Sequence, residues 1–188
     1  MNLPNKLTVL RILMIPLFLI LLLPVGKGLL LPIPMQTGRI LAVLVFVLAS
    51  LTDLLDGAIA RKRNCVTTFG KFLDPIADKL LVASALMALV QLGEVSAWAV
   101  VIIIAREFTV QGIRIIAANE AVVISASIWG KVKTFSQMTA ILLILIQNFP
   151  FSLFTSFPIG QVLLWISVVL TITSGYDYLK ANRDRLKG

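Results

Sequence analysis

The chain has 188 residues, of which 59% are hydrophobic and 14% charged, and its mean hydropathy is +0.97. Water-soluble domains are about 45–50% apolar by a similar count, so an ordinary soluble domain is excluded and an integral membrane protein is expected, with one domain over residues 1–188. Its 17 Lys and Arg against 9 Asp and Glu give a net charge of +8; membrane proteins gather such cations on their cytoplasmic face, so anionic headgroups or a phosphorylated substrate are the expected partners, not nucleic acid.

The first apolar run, Ile12–Leu23, follows Lys6 and Arg11. No small-x-small cleavage pattern comes after it, so it reads as a retained first span and not as a signal peptide. Pro24 to Thr37 is rich in Pro and Gly and reads as an outside loop. The second run, Ile40–Leu51, continues as helix through Asp53, Asp56 and Arg61, and a short basic connection reaches Phe69. The third helix starts at Gly70 and carries Asp74 and Asp78 ahead of the apolar stretch Leu80–Leu92. The fourth run, Val95–Ala105, extends through Arg106, Glu107 and Arg114. Lys131 and Lys133 precede the fifth run, Phe135–Ile146. Asn148-Phe149-Pro150 and Ser156-Phe157-Pro158 bracket an outside connection to the sixth run, Val162–Thr173.

Each run is shorter than the roughly 20 residues a helix needs to cross the hydrocarbon core. The missing length comes from polar residues at one end that are still compatible with helix. The expected fold is therefore all-α: a polytopic membrane protein of six transmembrane helices with a polar cavity open to one side. In this arrangement only Lys27 and Arg39, among the Lys and Arg, fall on the far face. The positive-inside rule then places both termini and the cavity on the cytoplasmic side of the cell membrane.

The chemistry concentrates between Asp53 and Asp78, where the chain reads D-x2-D-G-x2-A-R-x8-G-x3-D-x3-D. Asp53 and Asp56 are three residues apart, and Asp74 and Asp78 are four apart, so on helices each pair projects from one face. Two such faces together make a cage of four carboxylates suited to one or two hard divalent cations, with magnesium keeping places for substrate phosphate oxygens. Carboxylates inside a membrane are costly and are functional candidates by default. The chain has no histidine, which excludes Ser-His and Cys-His catalysis and the usual zinc sites. A carboxylate is then the natural proton acceptor, and Asp78, one turn from Asp74, is the candidate. The single cysteine, Cys65, allows no internal disulfide. Gly57, Ala60 and Gly70 leave room for a ligand, although each taken singly reads first as close helix packing. Arg61 can pair with phosphate, or with Lys62 and Arg63 can form an ordinary cytoplasmic anchor.

This stretch resembles the signature of the CDP-alcohol phosphotransferases, matching it at Asp53, Asp56, Gly57, Ala60, Arg61, Gly70, Asp74 and Asp78. The resemblance implies an integral membrane enzyme of six transmembrane helices, usually a homodimer. Such an enzyme moves a substituted phosphate from a CDP-linked donor to an alcohol and releases CMP. It implies that all four aspartates bind metal and that Asp78 is also the base; the chemistry of the carboxylates makes Mg2+ or Mn2+, as two ions, the expected cofactor. Asp56, Gly57, Ala60, Arg61 and Gly70 would form the donor nucleotide site.

Other segments bear on the acceptor. The opening Met1 to Arg11, the segments Ala105-Arg106-Glu107-Phe108 and Gly112-Ile113-Arg114, and Gly130-Lys131-Val132-Lys133-Thr134 resemble the phosphatidylglycerophosphate synthase branch of the same family. That resemblance implies CDP-diacylglycerol as donor and sn-glycerol 3-phosphate as acceptor. The charges agree independently, because an anionic acceptor needs fixed cations, and Arg106, Arg114, Lys131 and Lys133 supply them. Glu107 can orient a neighbouring Arg, and Thr8 and Arg11 can line the same cavity. The alternative reading is a sibling enzyme acting on serine, inositol phosphate or phosphatidylglycerol. A divalent-cation transporter is a remoter alternative, since the chain lacks the related halves and the polar path through both leaflets that a transporter can show.

Overall fold

The computed structural model describes the backbone of residues 3–23, 33–63, 68–119 and 128–181. Within these stretches the side chains of 3–4, 53–63, 68–72, 74, 116, 118 and 119 lie outside the described residues. The described chain is helical: α1 (Leu3–Leu22), α2 (Met35–Arg63), α3 (Thr68–Gln91), α4 (Ala97–Asn119), α5 (Ile128–Leu145) and α6 (Ile159–Ala181), with a single 3-10 turn at Phe151–Leu153 between the last two. The expectation that polar residues prolong the apolar runs holds for the backbone. Helix α2 continues through Asp53, Asp56 and Arg61, and α4 through Arg106, Glu107 and Arg114. Helix α3 starts two residues before Gly70, and α5 starts at Ile128, so Lys131 and Lys133 are helical. Of the predicted loop Pro24–Thr37, residues 24–32 lie outside the described residues, as does the connection at 64–67 with Cys65, whereas Met35–Thr37 are not loop but the first turn of α2.

Among the described residues, three helices are long and apolar enough to cross a membrane: Asn5–Leu22, Met35–Thr52 and Ile159–Ala181. The other three owe their shortfall to charge or to length. Lys71, Asp74, Asp78 and Lys79 interrupt α3, Arg106, Glu107 and Arg114 interrupt α4, and α5 has only 18 residues with two lysines.

The chain divides into two compact helical units, Met1–Leu92 and Gly93–Gly188. In the first, α2 and α3 both pack on α1 and touch each other. Phe18 and Phe46 are fully buried with ring centroids 5.8 Å apart. Small side chains at Ala42, Ala49, Ala77 and Ala85 are also fully buried, and small residues let helix backbones approach in a medium without a hydrophobic driving force. The opposite faces carry exposed Leu10, Leu13, Leu17, Leu44 and Leu48, as lipid-facing surfaces do. Pro16 and Pro75 stand inside α1 and α3; membrane helices tolerate such prolines because neighbouring groups satisfy the freed carbonyls.

In the second unit α6 packs against both α5 and α4. Ile103, Ile141, Ile144, Leu145, Leu164 and Val168 form its apolar core. The turn after α5 places Gln147 and Asn148 in the left-handed region, with φ of 55° and 59°. Gly160 then lies so close to α5 that an added Cβ would stand 2.8 Å from Ile144 Cγ1 and 3.0 Å from its backbone nitrogen. Glycine is required there by the close approach of the two backbones.

Candidate active site

The four aspartates fall in the first unit, two on α2 and two on α3. Asp53 stands ten residues before Arg63, the last residue of α2, and Asp78 stands ten residues after Thr68, the first of α3. Asp56 and Asp74 are likewise seven and six residues from those ends. The four residues 64–67 join the two helices, a link that spans no more than about 18 Å even fully extended. At 1.5 Å of rise per residue, the members of each pair lie roughly 10 and 15 Å along their own helix from the end that adjoins residues 64–67. The side chains of Asp53, Asp56 and Asp74 lie outside the described residues, as do those at Gly57, Ala60, Arg61 and Gly70.

Asp78 is described. Its side chain is 44% exposed, and the ammonium of Lys79 lies 3.4 Å from its Oδ2. The carboxylate is therefore accessible and has a cation beside it, while Ala77 on the preceding position is fully buried. The donor set fits a hard cation: oxygen ligands alone, four carboxylates, and no histidine in the chain to favour a softer metal.

Helix α1 adds a polar stripe to the same unit. Asn5, Thr8 and Arg11, three residues apart in turn, are buried, and Thr8 and Arg11 have no exposed surface. A buried guanidinium in an apolar helix is costly, and this stripe lies on the packed face of α1, away from its exposed leucines. Thr8 and Arg11 are candidates on sequence alone. Asn5 is not, although its i, i+3 spacing to Thr8 is an available signal.

The basic candidates fall in the second unit, on α4 and α5. The structure brings two of them together. Glu107 Oε1 accepts a hydrogen bond from Arg106 Nη1 at 3.2 Å and another from Lys133 Nζ. The side chains of Lys133, Glu107 and Arg106 are 3%, 15% and 16% exposed. Arg106 Nη2 donates to Ser174 Oγ of α6 at 3.1 Å. Arg114 also reaches α6, with its guanidinium carbon 5.9 Å from the centre of the Tyr178 ring, within cation–π range. Both contacts advance toward the C-terminal ends of their helices, so α4 and α6 run in the same sense. Lys131 is exposed and takes no part in these contacts.

Ser174, Gly175 and Tyr178 of α6 carry no motif, and sequence reasoning misses them. The faint signal is Ser167, Thr171 and Ser174, buried and spaced at four and three residues inside an apolar run. Their hydroxyls bond back to carbonyls of their own helix, from Ser167 to Leu164 at 2.7 Å and from Thr171 to Ser167 at 2.6 Å. Ser174 likewise donates to the Thr171 carbonyl at 3.3 Å, which leaves its oxygen lone pairs for Arg106.

Residues 1–173 match the family model described as CDP-alcohol phosphatidyltransferase. The chain is 46% identical over 193 residues to a CDP-diacylglycerol–glycerol-3-phosphate 3-phosphatidyltransferase of Bacillus subtilis (strain 168), covering 99% of this chain and 97% of that protein. It is 43% identical over 180 residues to the protein of the same description from Rickettsia bellii (strain RML369-C), covering 96% and 94%. It is 38% identical over 185 residues to a probable phosphatidylglycerophosphate synthase of Mycobacterium tuberculosis (strain ATCC 25618 / H37Rv), covering 97% and 83%.

Proposed function

Since this chain belongs to the CDP-alcohol phosphatidyltransferase family, we propose that it transfers the phosphatidyl group of CDP-diacylglycerol to sn-glycerol 3-phosphate, giving phosphatidylglycerophosphate and CMP. The observation that carries a phosphate-bearing acceptor, against serine, is the mostly buried pair Arg106 and Lys133, two cations against the one carboxylate of Glu107; glycerol 3-phosphate among such acceptors is favoured by the relatives' descriptions. The excess positive charge suits an acceptor that brings a phosphate. A neutral or zwitterionic alcohol would leave it uncompensated.

The bond that forms joins the acceptor hydroxyl oxygen to the phosphorus carrying diacylglycerol; the bond that breaks joins that phosphorus to the CMP oxygen. Asp78 takes the hydroxyl proton as general base. Asp53, Asp56, Asp74 and Asp78 would hold a divalent cation, magnesium or manganese and two ions, which when bound neutralises charge on the phosphates. Gly57, Ala60 and Gly70 leave space for the cytidine nucleotide, with Asp56 beside it and Arg61 pairing with its phosphate. Arg106, Arg114, Lys131 and Lys133 bind the acceptor phosphate, Arg as a fork and Lys as a point charge, with Thr8 and Arg11 as further polar groups.

In the membrane, six spans place the aspartates, both termini and the basic cluster on the cytoplasmic side of the cell membrane, as the distribution of Lys and Arg supports. The working unit is a homodimer. The deciding experiment gives the purified protein CDP-diacylglycerol and magnesium with a panel of acceptors and follows CMP release. Glycerol 3-phosphate is expected to support the fastest release. Faster release with serine, inositol phosphate or phosphatidylglycerol would transfer the chain to a sibling activity.

A further inference from the structure

We propose that Glu107 is the positioning residue of the acceptor site, and that α6 completes the site through Ser174 and Gly175; this rests on Arg106 and Lys133 being ligands of the acceptor phosphate. Two cations do not gather unaided in a place this dry, because their repulsion grows as the dielectric falls. One oxygen of Glu107 bonds both of them, from the neighbouring position on α4 and from α5. The carboxylate thus fixes the distance between a guanidinium and an ammonium that arrive from different helices.

Helix α6 sets the remaining freedom of Arg106. Nη1 goes to Glu107 and Nη2 to Ser174 Oγ at 3.1 Å, while the buried Nε has no hydrogen-bond partner among the described residues. The stem of Arg106 lies against the bare backbone of Gly175, where an added Cβ would stand 3.0 Å from Cγ. The fork is held at one end by a carboxylate, along one edge by a hydroxyl, and along its stem by a glycine. The set Arg106, Lys133 and Glu107 keeps one net positive charge, so the carboxylate orders the two cations without cancelling them.

The opposite role for Glu107 makes the opposite prediction. A carboxylate that only weakens the positive field would, when neutralised, let the acceptor bind more tightly. A positioning carboxylate would, when neutralised, let the cations separate and weaken acceptor binding. The test uses the full chain in mixed micelles with CDP-diacylglycerol and magnesium, and measures KM for glycerol 3-phosphate, KM for CDP-diacylglycerol and kcat. Glu107→Gln is expected to raise acceptor KM by about 10-fold or more, as loss of charge-assisted bonds does, with the donor KM little changed and Glu107→Asp in between. Ser174→Ala is expected to raise acceptor KM by a smaller factor.

Lys133→Ala and Arg106→Ala distinguish failure of the acceptor site from failure of the positioning role. If both leave the acceptor KM unchanged, the acceptor site itself is refuted. If both raise it while Glu107→Gln leaves it unchanged or lowers it, the positioning role is overturned and the acceptor site stands. Should Glu107→Gln fail to fold in detergent, Ser174→Ala decides: an unchanged acceptor KM there counts against the proposal.

Discussion

Asn148, on the turn that ends α5, accepts the backbone N–H of Gly160 at 2.6 Å through its side-chain oxygen, and its side-chain nitrogen donates to Gln161 Oε1 at 3.3 Å. One residue therefore caps the start of α6 and fastens it to the helix before it. The relationship matters beyond the turn, because the rotation of α6 about its axis decides which of its residues meet α4.

Gly160→Ala should lower stability. The new methyl would stand 2.8 Å from Ile144 Cγ1 and 2.9 Å from Asn148 Oδ1, and overpacking of this kind costs about 1–3 kcal/mol. Thermal unfolding of the purified protein in detergent checks it. A melting temperature equal to that of the wild type would show that the α5–α6 contact relaxes freely.

Activity should require a divalent cation. A chelator should abolish CMP release, and magnesium or manganese should restore it. Asp53→Asn, Asp56→Asn and Asp74→Asn should each remove turnover while leaving a folded protein in detergent. Full activity in EDTA would rule out the carboxylate cage.

Asp78→Asn should lower kcat by roughly 100- to 10,000-fold, the range for losing a general base, and should leave donor binding in place. Its carboxylate is accessible and lies beside Lys79, so Lys79→Ala offers a companion measurement with a smaller expected effect. A near-normal kcat for Asp78→Asn would assign the base to another group.

Arg106→Ala should raise KM for glycerol 3-phosphate by about 10- to 100-fold and KM for CDP-diacylglycerol far less. Such a split identifies a residue that binds one substrate and not the other. Equal increases in both would place Arg106 in the general architecture of α4 and α6.

Cys65 reports on topology, because it lies between the two aspartate pairs and is the single cysteine of the chain. A membrane-impermeant thiol reagent should label it in inverted vesicles and miss it in intact cells. Labelling from outside intact cells would reverse the orientation proposed from the charges.

The helical segments, and the aspartate pattern that α2 and α3 carry, are legible in the amino-acid sequence by itself. Apolar runs specify helices wherever backbone groups must be satisfied inside the segment, and polar extensions such as Asp53–Arg61 and Arg106–Arg114 stay helical as their spacing requires. The eight-position aspartate pattern is a local property of 26 residues, Asp53 to Asp78, so it can be read along the chain without knowing what packs against what. The buried face of α1 is half legible, through Thr8 and Arg11 but not Asn5.

What only the tertiary structure decided are the pairings across helices. Arg106 meets Ser174 over a separation of 68 residues, and Lys133 meets Glu107 over 26. Helix periodicity says that Ser174 and Thr173 point in different directions, but it does not say which direction faces α4. That is set by how closely α5 and α6 approach at Gly160, by the Asn148 cap, and by the glycine at 175 that admits the stem of Arg106. Composition and spacing act within a helix, whereas the partner of a buried charge depends on the rotation and approach of another helix, and those follow from packing summed over the whole unit.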